Sequence, residues 1–227
     1  MNNPDFSLPS NGKLLTRRLL LGSGLAVTSG VILGPSAQAA GAAGARYNRQ
    51  KAVAWAKKNY TGEYKFKYSN CTYFVSQALW NGGLPKSPDW NSETLNPWKM
   101  ADKKNNFGGP TKAAAHADTF KNYMKDQRLG SLRELSFGEN NVRDVELGDI
   151  IFYDWDNGAD GFVDHAMMVT GFSKDSNSSY KYPLLTGQSR SVTDMGWTWS
   201  KAKNGWIAEN YAGKKDGARA YLLHITY

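Results

Sequence analysis

One cysteine and three histidines are the side chains in this 227-residue sequence best suited to nucleophilic chemistry. The cysteine, Cys71, lies in YSNCTYFVSQALW. Cys71, Phe74, Val75, Ala78 and Leu79 recur at the spacing of one helical stripe. Ser69 or Asn70 can cap the start of that helix, and Asn81-Gly82-Gly83 can stop it. A thiol in the first turn sits beside unsatisfied backbone N–H groups and the positive end of the helix dipole, which favours thiolate over thiol. The same N–H groups can receive an oxyanion once sulfur attacks a carbonyl. A single cysteine forms no intramolecular disulfide, so in an oxidising compartment the thiol has to be buried or used.

A nucleophilic cysteine needs a base. His165 follows a glycine-containing loop and opens the apolar run HAMMVTGF, a strand mouth from which an imidazole can reach a helix N-terminus. His116, in AAAHADTF, reads as a structural residue within a helix. His224, between Leu223 and Ile225, reads as a core or edge residue of the last strand and is the weaker alternative as base. A base also needs a group that fixes its tautomer. Asp164 is adjacent to His165 and is expected to point the other way. Gln188, at the end of the following strand, can come beside His165, with Ser189 as the fallback.

The elements that must position these residues follow from periodicity. Residues 47–60, YNRQKAVAWAKKNY, read as an amphipathic helix, residues 71–80 as a second and 111–126 as a third. Residues 86–110 form a long irregular stretch, and 132–145 are ambiguous. IIFYDW, HAMMVTGF, YPLLTGQ and YLLHITY read as strands joined mostly by short turns, which implies an antiparallel sheet. Helices first and a sheet after is the order of an α+β domain. The sequence shows no internal repeat and no second domain.

The front of the chain reads as an export signal. Arg17 and Arg18 precede an apolar run over residues 19–33, and Ala37-Gln38-Ala39 suits signal-peptidase cleavage. That run is shorter than the roughly 20 residues of a bilayer span, and no later run is longer, so no stable membrane span is expected after cleavage. TRRLLL resembles a twin-arginine (Tat) signal. The expected organisation is a signal peptide over 1–39, a small-residue linker over 40–46 and one domain over 47–227. The 28 basic and 20 acidic residues, less Lys13, Arg17, Arg18 and Asp5, leave a net charge of +6 after cleavage. Such a charge favours anionic surfaces such as cell-wall polymers. The basic residues are scattered and form no nucleic-acid module, so nucleic acid is not an expected partner.

YNRQKAVAWAKKNY, NCTYFVSQALWNGG, GDIIFYDW, DHAMMVTGF and LLTGQS, in that order, resemble the putative amidase domain of exported bacterial proteins, within the papain-like NlpC and CHAP superfamily. The resemblance runs from about residue 47 to the C-terminus. It implies a papain-like α+β fold, N-terminal helices packed on an antiparallel β-sheet, with Cys71 as nucleophile and His165 as base. It implies a polar third residue at Gln188. Relatives tend to carry His there, while the wider superfamily also accepts Asn, Gln or Glu. Asn70 is a candidate for shaping the oxyanion site and Tyr68 for covering the thiol. The implied activity is a secreted or cell-wall-associated cysteine amidase or peptidase acting on peptides, peptidoglycan above all, with no cofactor or metal and as a monomer. Acyl transfer by the same residues, or a non-catalytic wall-binding or toxin-like module built on the eight Trp and twelve Tyr, are the alternatives.

Overall fold

Asn48 starts the first helix. Its backbone is extended, and its side-chain oxygen accepts from the Lys51 N–H at 2.9 Å, which satisfies one of the orphan donors of helix α1 (Arg49–Asn59). Lys57 and Lys58 occupy the last turn, where cations complement the dipole. Helix α2 (Asn70–Asn81) buries Cys71, Phe74, Val75, Ala78 and Leu79, the stripe expected from the sequence. Gly82 ends it against α1. A Cβ there would stand 2.6 Å from the Tyr47 ring and 2.9 Å from Ala52, so only glycine allows this approach. The computed structural model describes residues 46–62, 70–102, 107–174, 181–188, 190–201, 203–211 and 217–227. These belong to one unit, Ala42–Tyr227. The leader expected over 1–39, most of the 40–46 linker, Tyr68 and Ser189 lie outside them.

The third helix departs from expectation. Residues 111–126 form two helices, α3 (Lys112–Ala115) and α4 (Ala117–Asp126), parted at His116, which is extended at φ −104°, ψ 126°. Ala113, Ala114 and Ala115 are all buried. Ser76 Oγ donates to the Ala114 carbonyl at 2.9 Å, an acceptor that a continuous helix would give to residue 118. Tertiary packing outweighs the helical propensity of the alanines here. Burial and the nearby Lys112 hold the His116 imidazole below its ordinary pKa.

The strands are β1 (Gly130–Leu135), β2 (Ile150–Asp154), β3 (His165–Lys174), β4 (Lys181–Gly187), β5 (Val192–Gly196), β6 (Trp199–Ser200), β7 (Gly205–Trp206) and β8 (Arg219–Ile225), with a short helix α5 (Ile207–Tyr211) before the last. Six form one antiparallel sheet in the order β1-β8-β2-β3-β4-β5, and β6 and β7 form a separate hairpin. The fold is therefore α+β, as the element order implies. The ambiguous segment 132–145 contributes the latter part of edge strand β1, which begins at Gly130.

Side-chain alternation divides the core in two. Ile150, Phe152, Ala166, Met168, Leu223 and Ile225 face the helices and pack with Phe74, Leu79, Trp90 and Phe120. Ile151, Tyr153, Met167, Val169, Leu185 and Leu222 face the other way and are covered by Trp197, Ile207 and Val192. Both faces of β2 are thus buried, which is why IIFYD reads as a nearly continuous apolar run. Of the tryptophans, Trp90 and Trp197 are fully buried, whereas Trp98 and Trp206 are exposed.

A buried carboxylate ties the sheet to α1. Asp149 has no exposure. Its oxygens accept from Arg49 Nη1 at 2.6 Å, the Glu146 N–H at 2.8 Å and the Ile225 N–H at 3.1 Å, and lie 2.8 Å from His224 Nδ1. His224, the weaker alternative as base, therefore belongs to this structural network. Gly148 precedes the aspartate at φ +82°, and its carbonyl accepts from Tyr47 Oη at 2.9 Å. No helix among the described residues is long and apolar enough to cross a membrane.

Candidate active site

Helix α2 delivers Cys71 as its second residue, in the turn whose backbone N–H groups have no partner within the helix. The side chain is buried at 5 % exposure. Its destination is set by the sheet. β3 pairs with β2 from His165 to Met168, but its register with β4 reaches only as far as Met168–Thr186. Around Ala166 the β4 side of β3 is therefore free of regular strand pairing. The sulfur of Cys71 comes near this position, and the Ala166 backbone N–H lowers its pKa. Thr72 Oγ1 lies 3.7 Å from Sγ.

His165 also acts on the thiol, by charge and by hydrogen bonding. Burial pushes the Cys71 pKa up. The electrostatic influence of His165, followed by the hydrogen-bonding influence of His165, Thr72 and Ala166, outweighs burial and brings the value down to about 6. A thiol held there is largely thiolate at neutral pH.

The imidazole is held by aromatic rings. Tyr153 and Trp155 project from one face of the β2 end and stack at 4.9 Å with an interplanar angle of 7°. The His165 ring lies 6.2 Å from each. Tyr153 Oη donates to the Trp197 carbonyl at 2.5 Å, and burial raises its pKa well above the ordinary phenol value, so the ring stays neutral. The loop entering β3 is closed by Asp164, whose N–H donates to the Tyr153 carbonyl and whose Oδ2 accepts from the Trp155 N–H, each at 2.8 Å. Asp164 thus anchors the strand mouth, as its expected orientation away from His165 allows.

Gln188 and Asn70 meet each other. Asn70 Nδ2 donates to Gln188 Oε1 at 2.7 Å, and Gln188 Nε2 donates to the Gly62 carbonyl at 2.9 Å. Both side chains are buried. These bonds fasten the end of β4 to the start of α2 and to the residues following α1, so Gln188 fixes the helix end that carries the nucleophile. The structure brings Cys71, His165, Asn70 and Gln188 into one region.

Sequence reasoning missed three contributors: the Ala166 N–H, Thr72, and the Tyr153–Trp155 stack. The two-residue spacing of Tyr153 and Trp155 across the end of β2 signals a shared face, but the register that sets them beside His165 is a tertiary property. Among the described residues no cluster of three or more His, Cys, Asp or Glu side chains is placed to hold a metal ion.

Residues 46–211 match the family model described as "Putative amidase domain". A stretch of 110 residues is 30% identical to the "Uncharacterized protein YjcM" of Bacillus subtilis (strain 168), covering 46% of this chain and 22% of that protein. The chain thus spans under a quarter of that relative. No solved structure matches. With the family model covering most of its length, this chain belongs to the amidase-domain family, whose description points to hydrolysis of amide bonds.

Proposed function

We propose that the chain is a cysteine amidase or peptidase in which Cys71 is the nucleophile and His165 the base and general acid. The observation that carries this reading is the meeting of Cys71 with His165 and the Ala166 N–H, which brings a buried thiol down to about 6. In the proposed cycle His165 draws the proton from Cys71, or the two rest as an ion pair. Sulfur attacks an amide carbonyl, the tetrahedral oxyanion forms near the first-turn N–H groups of α2, and His165 donates its proton to the leaving amine. Water, activated by His165, then hydrolyses the thioester. Gln188 and Asn70 act as positioning residues. The superfamily pattern supports the roles of Cys71 and His165.

Export through the twin-arginine route is part of the same proposal, supported by Arg17-Arg18, the apolar run that follows and Ala37-Gln38-Ala39. Peptide amides of the cell wall are the proposed substrates, supported by this signal and by the basic charge. The test is digestion of purified peptidoglycan by wild type, Cys71→Ala and His165→Ala, with muropeptide products analysed by mass spectrometry. Amine-releasing fragments from wild type alone are expected. Acyl-amine products without net cleavage would mean transfer. Equal activity in Cys71→Ala would refute the mechanism.

A further inference from the structure

On the sheet face opposite the helices, a cavity of about 280 Å³ lies against His165. This falls at the small end of ligand pockets, which commonly run to about 300–1,000 Å³, so it admits a group of roughly one residue rather than a long polymer. Met167, Leu185, Val192 and Ile207 give it apolar surface, and Trp155 and Trp199 are also in its lining. His165 lines it and Cys71 does not. That asymmetry fixes its side. During attack the carbonyl carbon lies over sulfur and the departing nitrogen lies by the imidazole that protonates it. A cavity touching the imidazole alone lies on the leaving-group side.

The cavity also has a charge. Arg190 and Lys201 line it, with no Asp or Glu among the described lining residues. Arg190 and Ser191 both have positive φ, 67° and 48°, an unfavourable conformation for residues with a Cβ. Lys201 Nζ clamps this strained turn, donating to the Arg190 carbonyl at 3.2 Å and the Ser191 carbonyl at 3.4 Å. An ammonium has three donors, so one remains beyond these two. Backbone strain held in place at the margin of a pocket is characteristic of binding sites.

Resting on the Cys71–His165 reading, we propose that this cavity takes the leaving residue of a peptide: an apolar or aromatic side chain inside, with its free α-carboxylate held by Arg190 and Lys201. The chain would then release C-terminal amino acids. The amide C–N bond breaks, the acyl group forms a thioester on Cys71, and the amino acid departs with the His165 proton. Water then cleaves the thioester to the shortened peptide acid.

The test compares N-chloroacetyl-phenylalanine with its carboxamide as alkylators of Cys71, the only thiol in the chain. Sulfur displaces chloride in each, so rates are read by intact mass without knowledge of the natural substrate. Glutathione supplies the intrinsic acid-to-amide ratio. Because charge-assisted hydrogen bonds are the strong ones, the wild-type ratio is expected to exceed that of glutathione by about tenfold. It should collapse to the glutathione value in Arg190→Gln/Lys201→Gln and return in Arg190→Lys/Lys201→Arg. A wild-type ratio equal to that of glutathione, with fast iodoacetamide labelling, would overturn the pocket and leave the dyad standing. Persistence of the preference in the Gln/Gln variant would also overturn it. Absence of iodoacetamide labelling would overturn both.

Discussion

Alkylation of Cys71 by iodoacetamide is expected to follow a titration with its midpoint at about pH 6, rising as pH increases through that value. An ordinary thiol has a pKa of about 8.5, so at pH 6 it is about 0.3% thiolate, against roughly half for Cys71, an advantage of about 150-fold. Intrinsic nucleophilicity falls with pKa, by a Brønsted coefficient of about 0.4–0.5, which removes a factor of roughly 13 over that interval. The net expectation is labelling about tenfold faster than glutathione at pH 6, shrinking to about twofold at pH 7. The contrast is therefore largest in mild acid, where a stopped time course by intact mass resolves it. The cause is specific. Burial alone raises the thiol, and the strongest lowering influence is the charge of His165. His165→Ala should move the midpoint above 8 and cut the rate at pH 6 by at least about fivefold. A wild-type midpoint at 8 or above, or a profile unchanged by His165→Ala, would refute the coupling. The linked stability has the same sign: a depressed thiol pKa stabilises the fold at high pH, and this contribution is lost as pH falls through about 6.

Other perturbations test the frame around the site. Asp149→Ala leaves Arg49 and His224 beside an empty carboxylate position and should cost about 3 kcal/mol, lowering Tm by about 6–12 °C in a thermal melt. Ser76→Ala removes the acceptor that Trp90 Nε1 reaches at 2.9 Å. A buried indole N–H without that partner should cost about 1–3 kcal/mol, seen as a lower urea midpoint at unchanged slope. Gln188→Ala removes the bonds to Asn70 and Gly62 and should cost about 2 kcal/mol in chemical denaturation. Since Gln188 holds the start of α2, that variant is also expected to slow Cys71 alkylation at pH 6, whereas Ser76→Ala leaves it unchanged.

The α2 stripe was legible because the periodicity, the glycine stop and the burial requirement all agree locally, and all five stripe residues are buried. The strands β2, β3, β4 and β8 were legible for the same reason, since period-two and continuous apolar runs between turns admit few other conformations. The split at His116 was not. An alanine run reads as helix by propensity, and only the Ser76 bond to Ala114 and the burial of three successive alanines show why it stops. Strand β1 was equally hidden, because an edge strand with alternating exposure has a weak signal until its partner β8 is known.

Residue types alone made Cys71 and His165 the candidates: a single thiol at a helix start and a histidine at a strand mouth are local facts. Their meeting is not local. It depends on where β3 runs out of register with β4, which leaves the Ala166 N–H facing the sulfur. Gln188 illustrates the same division. Its place at the end of β4 could be read from the sequence, while its bonds to Asn70 and Gly62 required α1, α2 and the sheet to be assembled. Likewise the Arg190–Lys201 rim joins residues whose proximity to His165 follows from sheet order. Periodicity fixes which way a side chain points along its own element. Which groups then come within a few ångströms depends on register and packing, because those are set by the burial of both sheet faces at once.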